Sequence, residues 1–216
     1  MKAKLLIAAI FSGAALMAAD PAENLVFKQD FEKGADQFVK APATAKYYSK
    51  VKPELVEGRV KGTKAVYFNE KAESSIRGIK MPVPGNISMW VKTDARITQK
   101  HVYRRFIATS YSPSGYFGYQ EYAGYSLLFI HNFNKKNKNI GAQLLPAGQW
   151  NHLSLNFQDK HAEIYHNGVK IKESELPESI SKVVGNIVYG SKGCAVDSLE
   201  IYNRVLTADE IKALAK

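Results

Sequence analysis

Cysteine is almost missing from this 216-residue chain: Cys194 stands alone, so no internal disulfide can form and no cysteine-rich array for structural zinc exists. Long apolar runs are also scarce. The one candidate, residues 5–19 (LLIAAIFSGAALMAA), falls short of the roughly 20 residues needed to span a bilayer. Repeats, low-complexity tracts and linkers after Asp20 are absent, which argues for one domain. Acidic residues are outnumbered, 20 Asp+Glu against 30 Lys+Arg, and the resulting +10 makes an anionic partner an expectation. What is present, 45% apolar and 11% aromatic residues, is the composition of a folded globular domain held by packing. Cys194, flanked by apolar residues, is expected to be buried and inert.

Lys2 and Lys4 precede the apolar run, small residues end it, and Asp20-Pro21 follows. That layout is a cleaved secretory signal: residues 1–19 are assigned to a signal peptide, and 20–216 to one domain that is secreted or periplasmic and not membrane-spanning. The two leader lysines leave +8 on the domain itself.

Beyond the leader, short segments alternate in polarity between Gly, Pro, Asn and Asp punctuation. Residues 25–31, 65–68, 87–92, 106–110, 126–132, 150–157, 163–166, 186–189 and 198–202 read as strands. In the first, Leu25, Phe27, Gln29 and Phe31 share a face. In the sixth, Leu153, Leu155 and Phe157 face the core while His152, Ser154 and Asn156 take the wet side. Asn167-Gly168 tolerates positive φ at both turn positions and predicts a hairpin. Thr207-Ala208-Asp209-Glu210 is a capping box that opens a short C-terminal helix. Many strands and one helix imply an all-β, two-sheet antiparallel sandwich.

The run Gly148-Gln149-Trp150-Asn151-His152-Leu153, the hairpin Ile164-Tyr165-His166-Asn167-Gly168 and the ending Val196-Asp197 to Glu210-Ile211, with Tyr202-Asn203-Arg204 inside it, resemble laminin G-like jelly-roll domains of the concanavalin A-like lectin/glucanase superfamily. The match extends upstream through Gly62 to Phe68 and Ile87 to Lys92. The resemblance implies a jelly roll with a short C-terminal helix. It also implies a structural calcium near the first and last strands, where Asp30, Glu32 and Asp197 are the positions for such ligands. Within this family the fold serves sugar binding, glycan cleavage and protein adhesion, so function has to be read from a site.

Catalytic chemistry finds little support, and no catalytic residue is assigned. A retaining glycosidase needs two carboxylates about 5 Å apart, and Glu173, Glu175 and Glu178, interrupted by Pro177, read as a solvated turn. Tyr116-Phe117-Gly118-Tyr119-Gln120 resembles the tyrosine motif of jelly-roll alginate lyases. It lies mid-chain, however, and the companion motifs of that family are not matched. The five histidines show no ligand spacing, so no transition-metal site is expected.

Residues 111–125 hold six aromatics in 15, with Pro113, Gly115, Gly118 and Gly124 marking an irregular excursion between strands. Tyrosine rings stack on sugar faces while their hydroxyls hydrogen-bond outward. Tyr116, Tyr119 and Tyr122 are therefore the expected exposed glycan contacts. Arg104 and Arg105 beside them suit an anionic glycan, although neighbours on a strand point to opposite faces. Lys135 to Asn139 reads as a solvated turn. The expectation is a non-catalytic carbohydrate-binding module, possible anionic polysaccharides included, and not a nucleic-acid binder. The alternatives are a glycoside hydrolase or polysaccharide lyase on the same fold and an adhesive cell-envelope protein with a protein partner.

Overall fold

In a computed structural model the alternating segments pair into two antiparallel sheets. The structure describes residues 21–69, 74–95, 103–109, 115–122, 125–133, 136–141, 145–177, 179 and 187–216; the signal-peptide assignment lies outside them. In chain order the strands are β1 (Leu25–Gln29), β2 (Lys46–Ser49), β3 (Glu54–Glu57), β4 (Lys64–Phe68), β5 (Ser74–Arg77), β6 (Gly85–Thr93), β7 (Tyr103–Thr109) and β8 (Gly115–Tyr122). They continue as β9 (Tyr125–Phe133), β10 (Lys136–Gly141), β11 (Asn151–Gln158), β12 (His161–His166), β13 (Val169–Glu175), β14 (Ile187–Tyr189) and β15 (Cys194–Tyr202), and the chain closes with helix α1 (Ala208–Leu214). One sheet runs β13-β12-β11-β6-β15-β4-β3, with β1 also paired to β15, and the other runs β10-β9-β8-β7-β14-β5-β2. All nine strands expected from the sequence are present, as the all-β jelly-roll reading requires. No helix among the described residues is long and apolar enough to cross a membrane.

The core fills the gap between the sheets, where Phe27, Met89, Leu153, Leu155 and Ile201 of one meet Ile76, Phe106, Ile107, Ile187 and Tyr189 of the other. Each such side chain contributes roughly 1.5–3 kcal/mol on burial. Cys194 is fully buried in the same core. Leu25 departs from the expected face: a register shift between Leu25 and Phe27 breaks the alternation. Leu25 therefore packs in a second cluster, with Tyr165, Tyr202, Leu206 and Ile211.

That second cluster lies on the outer face of the eight-stranded sheet. Thr207 caps α1 through the expected reciprocal box with Glu210, worth about 1 kcal/mol. The Arg204 guanidinium grips both Glu210 oxygens at 2.8 and 2.6 Å. This contact outweighs burial and holds the Glu210 carboxyl down at about 2. The Asn167-Gly168 turn has positive φ at both residues. Gly168 is required twice over, since a Cβ there would stand 3.0 Å from the Lys212 Cα of α1.

The supposedly wet face of β11 is dry. His152, Ser154 and Asn156 are buried: the C-terminal segment bonds to Asn156, and Trp90 packs against His152. Asn156 accepts from the Leu206 N–H at 2.9 Å and donates to the Leu206 carbonyl at 2.8 Å. Asn86 donates to Ser154 Oγ at 2.8 Å and to Asn156 Oδ1 at 2.9 Å, and Ser88 donates to Asn86 Oδ1 at 2.9 Å. Polar side chains facing a cover must pair with one another, and these do.

Candidate functional site

The sequence-selected residues fall on neighbouring strands, Arg104 and Arg105 on β7 and Tyr116, Tyr119 and Tyr122 on β8. Within the expected irregular excursion, residues 115–122 form a strand paired to β7 on one side and β9 on the other, while residues 111–114, 123 and 124 lie outside the described residues. Tyr116 stands opposite Asn132, and Tyr122 opposite both Tyr103 and Tyr125. The alternation that makes β8 a strand also turns Tyr119 inward. It is 1% exposed and its hydroxyl donates to the Ser154 carbonyl of the facing sheet at 2.7 Å. Burial pushes that phenol well above its ordinary range. Tyr119 is thus a core residue, not an exposed stacking ring.

Arg105 is buried as well, in place of the expected solvent-facing cation. Arg104 lies closer to the surface but works as a clamp. Its Nε and Nη1 donate to the carbonyls of Lys192 and Ala95, each at 2.9 Å. The Tyr67 hydroxyl donates to Asp94 beside it. The two arginines diverge, as adjacent strand residues must. The Lys135 to Asn139 turn is corrected too, since residues 136–141 form β10.

A cleft on the opposite side of the sandwich was not foreseen. It has a volume of about 370 Å³ and lies between β11, β12 and the C-terminal segment, with Asn156, Gln158, His161, Glu163, Leu206 and Thr207 among its walls. Glu163 is its anchored charge. Oε2 accepts from Asn156 Nδ2 at 3.1 Å and from the Tyr165 hydroxyl at 3.0 Å, and Oε1 accepts from Lys170 Nζ at 3.2 Å. Burial works to raise the Glu163 carboxyl, but the bonds from Asn156, Lys170 and Tyr165 outweigh it and hold the group below its ordinary value. Burial and the bond to Glu163 push Tyr165 up to about 12.

Lys170 also donates to Glu173 Oε2 at 2.6 Å, and His161 Nδ1 lies 2.9 Å from Glu175 Oε1. Glu173 and Glu175 therefore belong to strand β13, not to a turn; Glu178 lies outside the described residues. Donor atoms of His161, Glu163 and Glu173 come within 4.8 Å of one another, a spacing that a metal ion could use. The Lys170 ammonium already bridges the two carboxylates and supplies the positive charge a metal would bring. Sequence spacing missed this group because the pairing of β12 with β13, Glu163 opposite Glu173, assembles it. The carboxylates named for calcium each accept a backbone N–H on one oxygen. Glu32 accepts from the Lys64 N–H at 2.9 Å, Asp30 from the Glu32 N–H at 3.2 Å, and Asp197 from the Arg59 N–H at 3.0 Å.

A glycosidase acid must hold its proton near neutral pH, which demands a raised carboxyl. Glu163 is shifted the other way, and Lys170 neutralises its neighbour Glu173. One acceptor position on the Glu163 carboxylate remains beyond its three donors, fixed in place and ionised.

A family model of the laminin G type, described as the concanavalin A-like lectin/glucanases superfamily, matches residues 84–212. No curated protein matches the sequence. Among solved structures, domain 4 of AbnA, a GH43 extracellular arabinanase from Geobacillus stearothermophilus in complex with arabinotriose, superposes with a TM-score of 0.75 at 17% identity, covering 89% of this chain and 98% of that one. The binding domain of Paraclostridial Mosquitocidal Protein 1 follows at 0.70 and 18% identity, covering 91% of this chain and 52% of that one. A structure of botulinum neurotoxin type C, whose cell entry depends on interaction with two ganglioside molecules, gives 0.69 at 11% identity, over 90% and 51%. The chain thus spans about half the length of those two toxin chains and nearly all of the arabinanase domain. With the family matched over more than half its length and two antiparallel sheets in the expected order, the chain belongs to the concanavalin A-like lectin/glucanases superfamily.

Proposed function

We propose that this protein is an exported, non-catalytic carbohydrate-binding module, and that the cleft beside Glu163 receives one sugar residue through its hydroxyls. The observation that carries the reading is the anchored carboxylate: Glu163, ionised and held by three donors, lines a cleft of about 370 Å³ together with Gln158 and Thr207. That volume lies in the range of small-ligand sites, roughly 300–1,000 Å³. A fixed acceptor beside amide and hydroxyl groups suits sugar hydroxyls. The arabinotriose complex of the arabinanase domain supports the same ligand class on this fold. The leader at residues 5–19 supports export, where polysaccharides are met.

The test is gel retardation of the full chain in a polysaccharide panel, including arabinan and polygalacturonate, with Glu163→Gln alongside. Retardation by at least one glycan is expected, weakened roughly tenfold in Glu163→Gln, since hydrogen bonds to charged groups are the strong ones. No retardation by any polysaccharide, or equal retardation of the variant, overturns the site. Release of reducing ends or unsaturated products would make the protein an enzyme and overturn the non-catalytic reading.

A further inference from the structure

The net charge of the chain is concentrated unevenly. From Gln37 to Pro53 there is no acidic residue and there are four lysines, and from Ser74 to Thr93 again no acid, with Arg77, Lys80 and Lys92. The fold brings these two stretches together as β2 and β5, and β2 is one of the two edges of the seven-stranded sheet, β10 being the other. Along β2 exposed and shielded side chains alternate, placing Lys46 and Tyr48 on the open side. Lys50 and Lys52 are exposed beyond the strand end.

Lys46 stands directly opposite Arg77 in the register, and Arg77 is exposed too. Like charges facing each other across a strand pair are destabilising. Nothing described on the protein offsets them: the ion pairs among the described residues are Lys28–Glu200, His161–Glu175, Lys170 with Glu163 and Glu173, and Arg204–Glu210. The Arg77 guanidinium lies 4.2 Å over the centre of the Tyr48 ring, which is 41% exposed. Stacking fixes the plane of the guanidinium and leaves its N–H edges facing solvent. Lysines on an edge strand also deter strand pairing. An exposed ring with an oriented arginine serves no such purpose.

We propose that the β2 edge, built from Lys46, Tyr48 and Arg77 with Lys50 and Lys52 beyond it, is a second site that binds the carboxylate groups of an acidic polysaccharide. The ligand class rests on the carbohydrate-binding reading; the location does not involve the Glu163 cleft. Arg77 offers a carboxylate two parallel N–H bonds, Lys46 shares the charge, and the exposed part of the Tyr48 ring offers its face to the apolar face of a sugar. Lys46 on the strand and Lys50 and Lys52 beyond its end follow one another along the chain, so their charges are spread out and not clustered at one point. A lipid headgroup surface would use the charges and leave the oriented ring without a role.

The test is calorimetric titration of the full chain with polygalacturonate, with its methyl ester as the uncharged counterpart, and co-sedimentation with phosphatidylcholine vesicles containing phosphatidylserine. Polygalacturonate is expected to bind and its ester not. Lys46→Ser with Arg77→Ser should weaken binding about tenfold, because it removes charge-assisted bonds. Lys33→Ser with Lys61→Ser, an equal loss of charge from the turns after β1 and β3, should change it less than about twofold, as exposed charges away from a contact are screened. Equal weakening by both double variants, or vesicle binding without polygalacturonate binding, overturns the site. If the wild type binds no polysaccharide, the carbohydrate reading falls with it. If polygalacturonate binds and only Glu163→Gln weakens it, this site alone falls. Thermal melts of each variant confirm the fold, all four substituted residues being exposed.

Discussion

The outer face of the eight-stranded sheet and the β2 edge of the seven-stranded sheet are both rich in polar side chains, and they treat them in opposite ways. On the first, Asn86, Ser88, Ser154 and Asn156 are buried and bonded to one another, and Asn156 to Leu206 of the C-terminal segment. On the second, Lys46 and Arg77 stand exposed and opposed with no described carboxylate between them. Hydrogen-bonding capacity satisfied within the chain builds architecture. Charge left uncompensated at the surface is available to a partner, and this contrast separates the polar residues that hold the fold from those that meet a ligand.

The covered face should yield the largest effect. Asn156→Ala strands the Leu206 N–H and carbonyl together with Asn86, and buried groups left unpaired are costly, so a loss of roughly 3 kcal/mol is expected in denaturant unfolding. Amides of α1 should lose hydrogen-exchange protection at the same time. A loss below about 1 kcal/mol would mean that the segment is held by its apolar contacts alone.

Next comes acid sensitivity. Burial foremost, with Arg59 and His166 nearby, lowers His152 from 6.5 to about 3, and its Nδ1 has no hydrogen-bond partner among the described residues. It packs 5.1 Å from Trp90, over which the Arg59 guanidinium lies at 4.3 Å. The unfolded chain takes up a proton that the fold refuses. This contribution is therefore complete above pH 6.5 and drains away as pH falls toward 3. From pH 6.5 to 5 the loss should reach about 2 kcal/mol. Chemical unfolding across that window should show a flatter slope in His152→Gln, with a residue from His166, which burial also lowers. An unchanged slope would remove His152 as the sensor.

The exposed edge should give the smallest effect, and one of opposite sign. Lys46→Glu replaces repulsion by attraction to Arg77 and should stabilise the fold by about 0.5 kcal/mol, while weakening polygalacturonate binding. If stability drops instead, the opposed pair carries no strain for an anion to relieve.

Much of the scaffold could be read without coordinates. Asn167-Gly168, the Thr207–Glu210 box and the inward set Leu153, Leu155 and Phe157 rest on local backbone preference and a two-residue period, and each recurs in the fold. Polar edge strands were missed for the same reason. Residues 46–49, 54–57 and 136–141 have little apolar alternation to reveal them, since an edge strand buries so little. Glycine and tyrosine between 111 and 125 suggested a loop, yet Gly118 sits within β8, where a Cβ would fall 2.0 Å from the Ile107 carbonyl oxygen. That glycine marks close strand approach, not a turn.

By itself the sequence determined the class of fold, the hairpin, the final helix and the surplus of positive charge, because these follow from periodicity, turn chemistry and composition within short windows. Tertiary structure alone decided which polar residues remain open to solvent. A strand has two faces, and only its packed partners reveal which one is covered. Tyr119 and Arg105 entered the interior, Asn156 was roofed by the C-terminal segment and His152 packed against Trp90, and the exposed cations gathered where β2 meets β5, an arrangement that depends on contacts between residues about thirty positions apart.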